Sequence, residues 1–299
     1  VVVRGVEEMA SSYSPVVATG AGRVRVELAA DHPGATDPVY RARRDELAAL
    51  ASAWSPGQAV PEPVYTDAEH HVWATVSGEL ARRHADTATR RYLDGAARLG
   101  LPTDHVPQLT EVTAGLAGLT GFSYLPVAGL APLRTFYRDF AAGRFWSTQY
   151  VRHPAAPLYT PEPDIIHEVI GHANQVADPE VAAVYRLVGA AVERCVGDEA
   201  LWALSRIFWF TFEFGVVREA GRTCAFGAGL LSSVGELDEF RGATIVPADL
   251  AAMATVDYDI SRFQPVLFSY PSDTALLDEM AGLFSTFDDD AAARLAKAA

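Results

Sequence analysis

Two imidazoles five residues apart, His167 and His172, lie in the run Pro161-Glu162-Pro163-Asp164-Ile165-Ile166-His167-Glu168-Val169-Ile170-Gly171-His172. Imidazole is the commonest metal ligand at neutral pH, so the pair suggests a metal site. The spacing narrows the choice. A zinc-protease helix carries His-Glu-x-x-His, with histidines four apart and about 40° apart on the wheel. A spacing of five corresponds to roughly 140°. A regular α-helix would not aim both rings at one ion. A helix end or a local irregularity is therefore expected, and the zinc-protease reading is disfavoured. The plainer alternative is two unrelated histidines, one packed and one exposed.

The second chemical feature is Glu213. It sits in the stretch 199–217, which is apolar nearly all round (Leu201, Leu204, Ile207, Phe208, Trp209, Phe210, Phe212, Phe214) and reads as a central, buried helix. Burying a lone carboxylate costs several kcal/mol, so such a group is paired or metal-bound. Arg206 or Arg218 could be its partner; a metal ion is the other choice. Two histidines and a buried carboxylate suggest the two-His-one-carboxylate face of non-haem Fe(II) oxygenases. With no thiolate nearby, structural zinc is not expected. Fe(II) needs further electrons to split oxygen. No Rossmann motif offers a nicotinamide site. A planar organic reductant stacked on an aromatic ring fits instead, with Phe136 beside the 126–132 loop as the candidate.

The elements that must position these residues read as mostly α with short β-strands, an α+β single domain. Helices are expected at 38–54, from Asp67 as cap to His84, at 87–99, at 110–119 and at 133–142. Two prolines and a glycine make 122–132 an irregular loop or short strand. Residues 145–152 look β-like. Pro161 and Pro163 hold the approach to His167 stiff and extended. Asp178-Pro179-Glu180 opens another helix. The segment 227–233 is a glycine-spaced turn, or a place where backbone approaches a small ligand. Short β-like and helical pieces follow, notably 245–250 and 263–270. The tail from Asp273 reads as helical, broken at Asp288-Asp289-Asp290. Residues 1–30 are taken as an N-terminal extension and 31–299 as the catalytic domain. Within the extension, 23–28 alternates like a short strand.

Composition excludes several classes. A net charge of -14 disfavours nucleic acid or an anionic membrane as main partner. Two cysteines make no disulfide framework, so a reducing compartment is expected. The N-terminus lacks a secretory apolar core, and no segment is apolar for long enough to span a bilayer. A cytoplasmic soluble protein is expected.

Several long motifs, in order, then carry a resemblance. They are Asp31-His32-Pro33-Gly34 through Asp37-Pro38-Val39-Tyr40-Arg41-Ala42-Arg43-Arg44, Pro126-Val127-Ala128-Gly129-Leu130, Thr148-Gln149-Tyr150-Val151-Arg152-His153, Tyr159 to Asp164, the histidine segment, Trp209-Phe210-Thr211-Phe212-Glu213-Phe214-Gly215, and 227–237. Over roughly residues 31–270 the chain resembles the pterin-dependent aromatic amino acid hydroxylases. The resemblance implies Fe(II) on His167, His172 and Glu213, and O2 as cosubstrate. It implies tetrahydrobiopterin, or a related tetrahydropterin, stacked on Phe136 against Gly129, Leu130, Ala131 and Leu133, with Glu168 and Phe208 nearby. The amino acid's carboxylate would meet Arg152, helped by Thr160 and Ser232; its ring would lie among Pro163, Trp209 and Phe214. Taken alone, Arg152 would be a surface arginine, and Trp209 and Phe214 core packing.

Three positions depart from the family pattern. Ala173-Asn174 replaces a larger apolar residue and proline. Phe208 stands where Tyr is frequent, and Trp146 where the animal enzyme has His. Trp209 favours phenylalanine over tryptophan as substrate; attack at the para or meta position stays open. Neither a regulatory domain nor a coiled-coil tetramer is expected, so the chain reads as a monomer or small homo-oligomer. The readings from other classes are a non-catalytic, metal-stabilised binding protein and a zinc hydrolase with Glu168 as base.

Overall fold

Asp37 starts the first helix, Pro38–Ala53, by accepting from the amides of Val39 and Tyr40, with proline in the first turn. The second, Asp67–Thr87, is capped one residue earlier than expected. Thr66 accepts from the Glu69 amide while the Glu69 side chain reaches back, a full capping box. Arg90–Leu99 ends on Gly100 in the left-handed region (φ 63°). Leu109–Ala117, Leu133–Asp139 and the long buried helices Pro179–Val192 and Asp198–Phe208 complete the framework around the site. The computed structural model describes residues 14–20, 24–258 and 262–299. Part of the expected N-terminal extension, 1–13 and 21–23, thus lies outside the described residues.

The strands are short and serve as ties between helices. An N-terminal hairpin pairs β1 (Val16–Ala18) with β2 (Val24–Val26). It is anchored by the Val26 amide donating to Asp45 Oδ1 at 2.7 Å. A parallel pair joins β3 (Ser123–Pro126) to β4 (Arg144–Ser147). A mixed four-stranded sheet is formed by β5 (Val216–Glu219), β6 (Arg222–Ala225), β7 (Thr244–Pro247) and β8 (Val266–Tyr270), in the order β6-β5-β8-β7. The chain is mostly helical with short strands, as expected.

Three local expectations are corrected. The apolar helix does not run to residue 217. It ends at Glu213, and Val216 and Val217 enter β5 instead. Gly215 allows the break, because a Cβ there would lie 2.3 Å from the Thr211 carbonyl oxygen. The β-like reading of 145–152 holds only to Ser147; beyond it the backbone turns to the 164–165 segment, Tyr150 O accepting from the Ile165 amide at 3.0 Å. The segment 227–233 is not a bare turn but contains a short helix, Ala228–Leu231.

The core is continuous from Trp73 through Phe140, Phe145, Tyr185, Phe208 and Phe212 to Phe284. Tyr185 stands within 5.0–5.3 Å of the ring centres of Phe140, Phe208 and Phe212. These aromatic contacts make a rigid wall on which the site is built.

Candidate metal centre and pocket

The predicted irregularity at the histidines is a π-turn, His167–Ala173. Hydrogen bonding from i to i+5 widens the turn by a residue. A spacing of five then brings side chains together instead of splaying them. The two Nε2 atoms lie 3.2 Å apart. Asn174, where the family pattern has proline, donates its Nδ2 to the Ile170 carbonyl at 3.0 Å, satisfying backbone where the π-turn gives way to α-helix. Gly171 lets this segment press on the Ala228–Leu231 turn, since a Cβ would sit 2.9 Å from the Ala228 oxygen.

A second π-turn, Trp209–Glu213, carries the carboxylate. Glu213 Oε1 is 3.0 Å from His172 Nε2, and Oε2 is 3.7 Å from His167 Nε2. Neither arginine weighed as its partner reaches it. Arg206 pairs with Asp257 and Arg218 with Thr223 and the Gly221 carbonyl. The contact of the two turns depends on Gly227, where a Cβ would be 2.1 Å from the Glu213 carbonyl oxygen.

The hydrogen bonds fix which ring nitrogens carry protons. Tyr185 donates its hydroxyl to Gln175 Oε1 at 2.8 Å, so it can only accept from His172 Nδ1, 2.9 Å away. Ser232 likewise donates to the Ala228 oxygen at 2.7 Å and accepts from His167 Nδ1 at 2.8 Å. Nδ1 thus carries a proton in both rings, so in the neutral, metal-binding form both Nε2 lone pairs face the carboxylate. Three acceptors converging at 3.0–3.7 Å with no proton between them repel unless a cation lies at their centre. An octahedral ion with bonds of about 2.1 Å would have ligand edges of about 3.0 Å. Burial lowers the His167 pKa to about 4, keeping the ring neutral. The residues fit a hard-to-borderline divalent ion with open positions. Replacing Tyr185 by Phe removes the acceptor that orients His172. We expect metal affinity to fall about 10- to 100-fold, read by metal titration; an unchanged affinity would remove Tyr185 from that role.

The triad opens into a cavity of about 760 Å³. Gly129, Leu130, Ala131, Leu133, Phe136 and Glu168 line it, as do Arg152, Thr160, Pro163, Trp209, Phe214 and Ser232. Phe208 does not. It is fully buried, behind Tyr137 and against Tyr185 and Phe212. Its place on the helix turns it into the core, so the expectation that it touches the cofactor is corrected. Trp146 lines the cavity with its Nε1–H donated to Asp139 at 2.7 Å. Burial, then Glu213 and Asp164, push the Glu168 carboxyl well above the usual carboxylate range, favouring its protonated form.

Arg152 is not a surface arginine. It is 3% exposed and forks onto Asp164, Nε to Oδ2 at 2.9 Å and Nη2 to Oδ1 at 2.8 Å. That pairing leaves Nη1 and the second Nη2 proton for another carboxylate. Thr160 and Ser232 give their hydroxyl protons to the Glu162 and Ala228 carbonyls, so neither is a ready donor to a substrate carboxylate. Sequence reasoning missed Tyr258, which stacks on Trp209 at 4.2 Å and 12°. It also missed Glu236 on the cavity wall.

The model of the biopterin-dependent aromatic amino acid hydroxylases matches residues 14–291. The chain belongs to this family. Within it, the chain is 44% identical to the phenylalanine 3-hydroxylase of Streptomyces coeruleorubidus over 264 residues, 88% of this chain and 95% of that one. It is 38% identical to the phenylalanine-4-hydroxylase of Bos taurus, covering 59% of that longer protein. Among solved members of the family, phenylalanine hydroxylase of Chromobacterium violaceum with bound Fe(III) superposes with a TM-score of 0.76 at 28% identity, over 85% of this chain and 94% of that one. The same enzyme with iron(III) and 7,8-dihydrobiopterin gives 0.73 at 27%, over 80% and 90%.

Proposed function

We propose that this hydroxylase acts on the ring of L-phenylalanine, using Fe(II), a tetrahydropterin and O2. The observation that carries this reading is the convergence of two unprotonated Nε2 atoms and a carboxylate beside a cavity that also holds a buried, half-committed arginine. In it, His167, His172 and Glu213 hold the iron. Phe136 and the 129–133 backbone take the pterin, and bound together these two cofactors supply the electrons that split O2.

The chain's own part is binding, orientation and exclusion of water. Arg152, held rigid by Asp164, receives the substrate carboxylate. Trp209, braced by Tyr258 and tilted at 36° against Phe214, walls the aromatic ring with Pro163. Fixing the ring edge beside the metal converts an encounter into a near-unimolecular step. Glu168, whose carboxyl burial shifts toward the protonated form, would offer a hydrogen bond to the pterin. Between ring positions, the 44% identity to the 3-hydroxylase over 88% of this chain favours attack at the meta carbon. The protein is taken as a cytoplasmic monomer or small homo-oligomer. Two buried free cysteines support a reducing compartment, and among the described residues no helix is long and apolar enough to cross a membrane.

Anaerobic loading with Fe(II), then aerobic turnover with tetrahydrobiopterin and Phe, Tyr or Trp, tests the reading. Phenylalanine is expected to be consumed, with meta-tyrosine separated chromatographically as product. Preference for tryptophan would overturn the substrate. No turnover of any aromatic amino acid would leave the metal-stabilised binding protein.

A further inference from the structure

A free amino acid brings two charges into the cavity, and Arg152 accounts for one. Burying an ammonium without a counter-ion is costly, so the cavity wall should hold a carboxylate outside the metal triad that is not already matched by a cation. Two described carboxyls meet that description, Glu168, which the proposed function places on the pterin side, and Glu236. Glu236 lines the cavity, is 6% exposed, and makes no ion pair with any described residue. Its polar contact is a long one, the Gln264 amide donating to Oε1 at 3.3 Å. Glu162, also on the cavity wall, is by contrast paired with Arg44 at 2.8 Å.

Position supports the assignment. Gln264, which donates its amide to Glu236, accepts from the Trp209 indole through its side chain at 3.2 Å. Glu236 is thereby tied to the wall assigned to the substrate ring. In sequence it stands one helical turn beyond Ser232, the residue that orients His167, and its own amide donates to Ser233 Oγ. Burial pushes its carboxyl up to about 7, as for a group awaiting a positive neighbour.

We infer that Glu236 is the counter-ion for the substrate's α-ammonium group, a specificity residue that selects amino acids over aryl carboxylates. The inference rests on the reading of the cavity as an amino acid site. The ammonium would form a charge-assisted hydrogen bond to the outer carboxylate oxygen.

The test compares L-phenylalanine with 3-phenylpropanoate, which has the same ring and carboxylate but no ammonium. Binding to the iron- and pterin-loaded protein is measured anaerobically by calorimetry, for wild type, Glu236→Gln and Glu236→Asp. Glutamine keeps the shape and the acceptor for Gln264. Wild type is expected to favour phenylalanine. Glu236→Gln should weaken phenylalanine by about 10- to 100-fold, the worth of a hydrogen bond to a charged group, and leave 3-phenylpropanoate unchanged. Glu236→Asp should restore part of the preference. A glutamine variant that binds phenylalanine as wild type does, or that loses both ligands equally, overturns the inference. A wild type that binds 3-phenylpropanoate as tightly as phenylalanine also overturns it. A wild type that binds neither overturns the amino acid reading of the cavity itself.

Discussion

Glu213→Gln is expected to abolish hydroxylation and to weaken metal binding by more than the roughly 100-fold that loss of a supporting partner costs. The amide has the shape of the carboxylate but carries no charge, and its oxygen is a poor ligand beside two neutral imidazoles. The fold should survive. In the metal-free protein the substitution removes a charge that sits between two Nε2 lone pairs at 3.0 and 3.7 Å, and relieves repulsion there. Stability and metal binding can therefore be read separately. Wild type should gain about 2.7 kcal/mol at a metal concentration a hundred times its Kd, seen as a rise in Tm. Glu213→Gln should show the same metal-free Tm within a few degrees and almost no rise on adding Fe(II) or a redox-inert surrogate. A variant that keeps both the metal-dependent rise and turnover would remove residue 213 from the metal and leave the two-histidine pair without its third ligand.

Different parts of this site were legible to different degrees. The spacing of His167 and His172 is incompatible with a shared target on an α-helix, so an irregularity could be inferred, but its form could not. Whether a turn widens to i+5 depends on what packs on it, here the Ala228–Leu231 helix against Gly171. Glu213 was conspicuous because it is charged in an apolar run. Glu236 was not. Gly235-Glu236-Leu237-Asp238 reads as an ordinary polar helix start, whereas the residues that meet it, Phe263 against Gly235 and Gln264 donating to Glu236, come more than 25 residues later. The overextended helix has the same origin. Val216 and Val217 continue an apolar run, and periodicity does not separate buried helix from buried strand over so few residues. Of their two strand partners, β6 follows directly in sequence and β8 lies some 50 residues on. Phe208 was placed by resemblance without its helical phase; three positions earlier than Thr211, it faces Tyr137 and the core. Local chemistry was thus readable where composition contrasted with its surroundings, and hidden where a distant segment supplied the contrast.

Asp164→Asn is expected to destabilise the protein by about 3–5 kcal/mol, the cost of leaving a buried charge without its partner. Asp164 is fully buried and Arg152 nearly so. Its carboxylate accepts from Arg152 Nε, Nη2 and backbone amide, and from the His167 amide at 3.2 Å. One group thus neutralises the arginine, ties the chain after β4 to the approach to the metal, and holds the start of the π-turn. An asparagine must turn a donor toward at least one of these N–H groups. Burial alone would raise the Asp164 carboxyl, but the Arg152 charge and hydrogen bonds outweigh it and hold it below its ordinary 3.8. A depressed native value means that the stabilisation is present above about pH 4 and is lost as pH falls through the native value. The gap between wild type and variant, read from denaturant midpoints, should therefore narrow on acidification. Substrate affinity should fall with it, since the guanidinium is no longer held in place. The double variant Arg152→Met, Asp164→Leu separates the two effects. An apolar pair of similar volume can replace a buried ion pair at little cost, so stability should largely return while phenylalanine binding does not. Recovery of binding in that variant would show that the substrate carboxylate is held elsewhere.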